Sequence, residues 1–180
     1  IKELKKAKVL AFDTETDSLD FTQANLVGLS VATDEDNAYY IPVGHDYEGA
    51  PKQLDRDEVL KKLKPIIEKI PLIGQHLKFD RNVLANYDIH LNVIENDTML
   101  MSYVYDPTAT RHNLDAMASH YLNVKTTTFE DVAGKGVKQL TFNQIPLEKA
   151  SDYAAEDADI TFRCYSHLKP ALAKTPSLEK

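Results

Sequence analysis

Hydrophobic and polar positions recur with two different periods along this chain, and the elements follow from where the period changes. Val9 to Phe12 form an uninterrupted apolar run, the pattern of a short strand buried on both faces at the centre of a largely parallel sheet covered by helices. Leu26 to Ala32 and Ala38 to Val43 are two more strand-like runs, and the polar stretch Thr33-Asp34-Glu35-Asp36-Asn37 between them has hairpin length. With the first run they predict a three-strand meander. His45 to Leu54 reads as a loop. Asp55 then caps a helix through Glu68, with Val59, Leu60, Leu63, Ile66 and Ile67 on its apolar stripe, although Pro65 runs against a helix so late in it. Leu72-Ile73-Gly74 predicts a short buried strand, followed by a helix from about Leu77 to Tyr87 and a last strand at Val93-Ile94. Beyond that the pattern is helical: Asn96-Asp97 opens a helix over Thr98 to Tyr105, Asn113 opens another through Tyr121, and Leu147 to Leu168, started after Pro146, is the longest. The connection from Asn123 to Ile145, with Gly134-Lys135-Gly136, is too long for a plain linker. A meander followed by alternating helices and strands predicts an α/β fold with a mixed sheet.

Composition narrows the function classes. With 180 residues, 43% of them hydrophobic, the chain suffices for one domain with one sizeable core. A single cysteine, Cys164, excludes an internal disulfide and a cysteine-based zinc site and suits a reducing compartment, so a cytoplasmic location is expected. No apolar stretch approaches a membrane span, and Ile1-Lys2-Glu3-Leu4-Lys5-Lys6 lacks the apolar core of a signal peptide. A start without methionine points to a piece excised from something longer. The net charge of −7 argues against a broad basic face for duplex nucleic acid, so a phosphate partner has to be held locally, by metals and a few cations. There is no Gly-rich phosphate loop, no Gly-x-Ser-x-Gly, and no metal-ligand spacing among His45, His90, His120 and His167.

The candidate chemistry lies in carboxylates. The first strand turns acidic at Asp13-Thr14-Glu15, and alternation puts Asp13 and Glu15 on one side and Thr14 on the other. Two like charges at the carboxyl end of a strand are costly unless a cation neutralises them. The alternative is a strand running out into a solvated acidic turn. On the last helix Asp157 falls on the apolar stripe of Ala150, Tyr153, Ala154, Ile160, Thr161, Cys164 and Leu168, one turn beyond Tyr153, while Glu156 and Asp159 fall on polar flanks; a buried salt bridge or a cap onto a neighbouring loop is the competing reading. Asp80 likewise shares a face with Leu77, Leu84 and Tyr87, with a dipole-complementing role or a pair with Arg81 as the competing readings. Asp97 and Asn113 read as ordinary caps, and Asp34 to Asp36 as a solvated turn. Four carboxylates meeting at one end of a sheet suit hard ions such as Mg²⁺ or Mn²⁺.

These stretches resemble the proofreading 3′-5′ exonuclease domain of bacterial DNA polymerase I, within the ribonuclease-H-like exonucleases. The carriers are Phe-Asp-Thr-Glu-Thr-Asp-Ser-Leu at Phe12 to Leu19, Gly-Gln-His-Leu-Lys-Phe-Asp at Gly74 to Asp80, and Tyr-Ala-Ala-Glu-Asp-Ala-Asp at Tyr153 to Asp159. Asp-Thr-Met-Leu at Asp97, Thr110-Arg111-His112, Thr-Phe-Glu at Thr128 and Gly-Lys-Gly at Gly134 are also similar, so nearly the whole chain is covered. The resemblance implies a ribonuclease-H-like mixed sheet of about five strands flanked by helices. It implies that residues 1 to 180 are a single exonuclease domain excised from a larger polymerase. It further implies that Asp13, Glu15, Asp80 and Asp157 bind two divalent ions, Mg²⁺ or Mn²⁺, and that Tyr153 orients the attacking water. Thr16, Leu19, Gln75, His76, Phe79, Met99, Arg111 and Phe129 are the implied substrate contacts, Leu19 and Phe129 wedging and stacking the terminal bases. Two positions depart from the family: His76 stands where Asn is usual, and Phe79 where Tyr is common.

The expected activity is removal of nucleotides from single-stranded or frayed DNA 3′ ends as 5′-monophosphates. The expected partners are a single-stranded DNA 3′ end and the polymerase domain of the same full-length chain, with no membrane, a monomeric isolated domain and a bacterial, nucleoid-associated location. A catalytically silent domain that holds a polymerase in shape, and a related exonuclease trimming RNA, are the alternatives.

Overall fold

The computed structural model describes residues 1–175, 177 and 178. Its five-stranded sheet has the order β3-β2-β1-β4-β5, built from β1 (Leu10–Thr16), β2 (Leu26–Ala32), β3 (Ala38–Pro42), β4 (Leu72–Gly74) and β5 (Ile94–Asp97). β1 pairs antiparallel with β2 and parallel with β4, β2 antiparallel with β3, and β4 parallel with β5. The expected meander and mixed sheet are therefore both present. β1 is central as its apolar run requires, but it does not stop at Phe12: the ladder to β2 continues to Thr16, with an irregularity between Glu15 and Thr16. The acids are thus in the strand and not in a turn beyond it, because β2 is buried along its whole length and holds them in register.

Two layers of helix cover the sheet. On one face Leu10, Phe12, Leu29 and Val31 pack with Leu60, Leu63 and Ile67 of α1 (Arg56–Ile67) and with Val83 and Leu84 of α2 (Lys78–Ala85). Asp55 caps α1 as expected, and the helix accommodates Pro65 in its last turn. On the other face the small residues Ala11 and Ala32, with Ile73, meet Ala158 of α6 (Leu147–Ala173), so a long helix lies close against four strands, β1 to β4. Helix α6 runs through Pro170 to Ala173, past the expected end at Leu168. Between β5 and α6, α3 (Thr98–Tyr105), α4 (Leu114–Met117) and a π-helical turn, Ala118–Leu122, close a second cluster on Met101, Met117, Ile160, Cys164 and Leu168. The helix expected from Asn113 to Tyr121 therefore changes its winding part-way and ends at Asn123, whose φ is 53°.

The connection from Asn123 to Ile145 is structured. It holds α5 (Phe129–Ala133) and two 3₁₀ turns, and it buries Ala133, Phe142 and Ile145 against Ala150 and Ala154 of α6. Among the described residues no helix is long and apolar enough to cross a membrane.

Candidate active site

Asp13 and Glu15 lie opposite Ser30 and Gly28 of β2. By strand alternation they face α6, together with the small residues Gly28, Ser30 and Ala32. Gly28 is required there: the Tyr40 ring lies over it, and a Cβ would fall 2.2 Å from the Tyr40 hydroxyl oxygen. That hydroxyl is 2.8 Å from Nε2 of buried His45. Tyr40 and Tyr153 flank Phe142, with ring centroids 6.2 Å and 6.1 Å from it, and Phe129 meets Tyr153 edge-on at 6.2 Å. Tyr153 is thereby held in an aromatic wall beside the acids.

Asp80 comes from the other side of the sheet. It is 2% exposed, and its Oδ1 accepts the Thr14 amide at 2.8 Å and the Thr14 hydroxyl at 2.6 Å. Thr14 points away from Asp13 and Glu15 as expected, and its unforeseen task is to lock Asp80. Among the described residues Asp80 makes no pair with Arg81.

The four acids feel one another. Burial, then the charges of Asp80, Glu15 and Asp157, hold the Asp13 carboxyl well above the usual range. Glu15 is raised by burial and by the charges of Asp157 and Asp80. Burial pushes Asp80 up to about 6 against the opposing bonds from Thr14, and Asp157 up to about 7 against a hydrogen bond from Tyr153. Burial, then the Asp157 charge, raises the Tyr153 phenol, so it stays protonated at neutral pH. Among the described residues none of these four carboxylates has an ion-pair partner. Among the described residues, however, no three acidic, histidine or cysteine side chains are gathered into a set that could hold a metal as they stand. The donor set nonetheless fits hard divalent ions: it is all carboxylate oxygen, and Glu15 Oε1 is buried with no hydrogen-bond partner.

At the β4–β5 side the remaining candidates occupy a hydrogen-bonded junction. Asp97 is more than a cap. Besides the amides of Met99 and Leu100 at 3.0 and 3.4 Å, it accepts those of His76 and Leu77 at 3.2 and 2.9 Å, tying the turn before α2 to the start of α3. Gln75 is engaged at both ends of its amide, donating to the His112 carbonyl at 2.8 Å and accepting from the Thr98 hydroxyl at 2.6 Å. His76 is exposed with φ 63°. The left-handed region favours Asn and also admits His, so the backbone itself accounts for both the family residue and its replacement.

The other implied contacts are dispersed around this core. Leu19 is 94% exposed, the Thr16 hydroxyl caps the Ser18 carbonyl at 2.8 Å, Met99 is half-buried, and Phe79 packs against the main core. Arg111 is exposed. Asp115, four residues on, lies near enough to add to the rise of the Asp157 pKa. Glu156, read as a polar flank, accepts the Thr127 amide at 2.7 Å and anchors the long connection to α6.

A family model described as 3′-5′ exonuclease matches residues 1–173. The chain belongs to the 3′-5′ exonuclease family. Membership of that family is what marks the chain as a nuclease, and the curated relatives are DNA polymerases. DNA polymerase I of Pseudomonas aeruginosa is 53% identical across 100% of this chain, which spans 20% of that protein. DNA polymerase I of Rhizobium leguminosarum is 36% identical across 96% of the chain and 19% of its own length. The exonuclease chain thus spans about a fifth of the curated relatives it matches. The solved structure of Brucella melitensis NrnC superposes with a TM-score of 0.69 at 21% identity, covering 97% of this chain and 80% of that one, a likeness of fold.

Proposed function

We propose that this chain is the proofreading exonuclease domain of a bacterial DNA polymerase I, removing nucleotides from single-stranded or frayed DNA 3′ ends as 5′-monophosphates. The observation that carries the reading is the group of four carboxylates, all raised in pKa and with no ion-pair partner among the described residues. Asp13, Glu15, Asp80 and Asp157 would hold two divalent ions, Mg²⁺ or Mn²⁺. Bound there, the ions supply Lewis-acid charge to the phosphoryl group and raise the nucleophilicity of water. In the reaction a water oxygen adds to the terminal phosphorus, the P–O3′ bond breaks, and the departing 3′ oxygen takes a proton.

The residues of the chain supply the rest. Tyr153, a protonated phenol beside Asp157, orients the attacking water. Phe129, edge-on to Tyr153, offers a face to a terminal base, and exposed Leu19 wedges between bases. Arg111 takes a phosphate of the strand, Gln75 holds the loop that carries Arg111, and Thr16, His76, Phe79 and Met99 border the path. With a net charge of −7 the domain grips DNA weakly by itself. In the longer chain a polymerase body would deliver the frayed end, in the bacterial cytoplasm at the nucleoid, and the excised domain itself would be monomeric.

The test is an end-labelled DNA oligonucleotide and its RNA counterpart incubated with Mg²⁺, Mn²⁺ or EDTA. Stepwise shortening of DNA from the 3′ end, with metal only, is the expected result. DNA left intact under every metal condition contradicts the reading, and faster loss of RNA moves the substrate to RNA.

A further inference from the structure

The segment joining α3 to α4 is closed by the ring of one of its own residues. His112 Nε2 lies 3.2 Å from the Pro107 carbonyl oxygen, and Nδ1 lies 2.8 Å from the Ser102 hydroxyl. A carbonyl only accepts, so Nε2 carries the hydrogen and Nδ1 accepts from Ser102. The Ser102 oxygen, 0% exposed, then accepts from the Tyr121 hydroxyl 3.0 Å away. The His112 carbonyl receives the Gln75 amide, its ring meets Tyr103 edge-on at 5.4 Å, and its backbone is left-handed with φ 61°. One residue therefore ties the loop to itself, to α3, to the π-helical turn and to the end of β4.

The residue immediately before it is Arg111. Among the described residues it makes no ion pair or hydrogen bond, although the chain carries seven more negative than positive charges. An exposed guanidinium left without a partner among the described residues is available to a phosphate. Its long side chain loses conformational freedom on binding, and a fixed backbone beneath it lowers that loss.

We propose that His112 is a positioning residue for the exonuclease reaction: its clamp on Pro107, Ser102 and Gln75 holds Arg111 where it takes a phosphate of the single strand. This rests on the reading of Arg111 as a strand contact. His112 touches no substrate and acts only through its neighbour.

The test is a double-mutant cycle on binding of a 3′-labelled single-stranded DNA oligonucleotide, read by fluorescence anisotropy with Ca²⁺ in place of a catalytic ion and repeated at several salt concentrations. Arg111→Ala is expected to weaken binding about tenfold and to flatten the slope of log affinity against log salt by about 0.7, the value for one phosphate contact on a single strand. His112→Asn, which tolerates the left-handed backbone, is expected to weaken binding severalfold and to flatten the slope in the same way. In the Arg111→Ala background it is expected to add less than twofold. Ser102→Ala, which removes the Nδ1 anchor from α3, gives the same pattern and serves if His112→Asn does not fold. Independent, multiplicative effects of the two substitutions, or an unchanged salt slope in His112→Asn, overturn the proposal. An Arg111→Ala variant that binds and shortens DNA like the parent overturns it at the level of Arg111, while loss of all DNA cleavage by the parent separates failure of the exonuclease reading from failure of the clamp.

Discussion

At the β1 side of the sheet, Glu15 Oε1 and Ser30 Oγ are buried with no hydrogen-bond partner, and four carboxyls are driven upward in pKa. On the β4–β5 side, Asp97 collects four backbone amides and Gln75 is engaged at both ends. The first region is short of partners and the second is supplied from within the chain. An unpaired buried charge is destabilising until something of opposite sign arrives, whereas a satisfied network rigidifies what it holds. On the proposed reading, the contrast separates chemistry, which needs cations, from grip, which is built into the fold.

Removing an acid should separate the two regions most sharply. Asp157→Ala is expected to lower single-turnover cleavage by about 10³-fold or more, since ion-held charge contributes several kcal/mol to the transition state. Its melting temperature without metal should stay equal or rise at pH 7.5, because an inward charge without a counter-ion is gone. A variant that loses stability as well as activity would place Asp157 among the structural residues. Tyr153→Phe keeps the ring in the Phe129–Phe142 wall and removes only the hydroxyl. The chemical step should slow by about 10²-fold with affinity for single-stranded DNA little changed, as rapid-quench kinetics beside anisotropy would read.

The satisfied side should answer in stability. Asp97→Ala strips four amides of their acceptor at once and is expected to cost about 1–3 kcal/mol in denaturant unfolding, in contrast to Asp157→Ala. His76→Asn should be the mildest change, a few tenths of a kcal/mol, because both residues enter the left-handed region. His76→Ala should cost about 1 kcal/mol there. Equal effects of Asn and Ala in thermal melts would remove the backbone explanation for this position.

Much of the fold could be read before the structure. The apolar runs located β1 to β4, while β5 is Ile94–Asp97, polar and partly exposed, and shares only Ile94 with the run at Val93-Ile94; Asp157 stood out because a carboxylate on an apolar stripe has no ordinary reason to be there. What the pattern could not carry were contacts across long separations. Thr14 and Asp80 are 66 positions apart, so the lock between them leaves no periodic trace. Asp97 looked like a cap because it is one, and its two further amides come from a turn 20 residues away. Gln75 and His112 were visible only as members of motifs, with nothing local to say that they hold each other. Local rules also stop strands at the first acids, and β1 runs on because β2 pairs with it through Thr16.

The acids on the β1 side carry charge that no ion pair among the described residues offsets. Carboxyls whose folded pKa stands above the ordinary value bind protons more tightly when folded, so the stability they contribute is full at low pH and is lost as pH rises. For Asp80 and Asp157 the window runs from the ordinary 3.8 up through about 6 and about 7. The direct measurement is the melting temperature from pH 4 to pH 8, with EDTA and with Mn²⁺. A fall across that interval in EDTA, largely reversed by Mn²⁺ near pH 7.5 through binding to the folded state alone, is the predicted result. A melting temperature flat through the interval and indifferent to Mn²⁺ would contradict it.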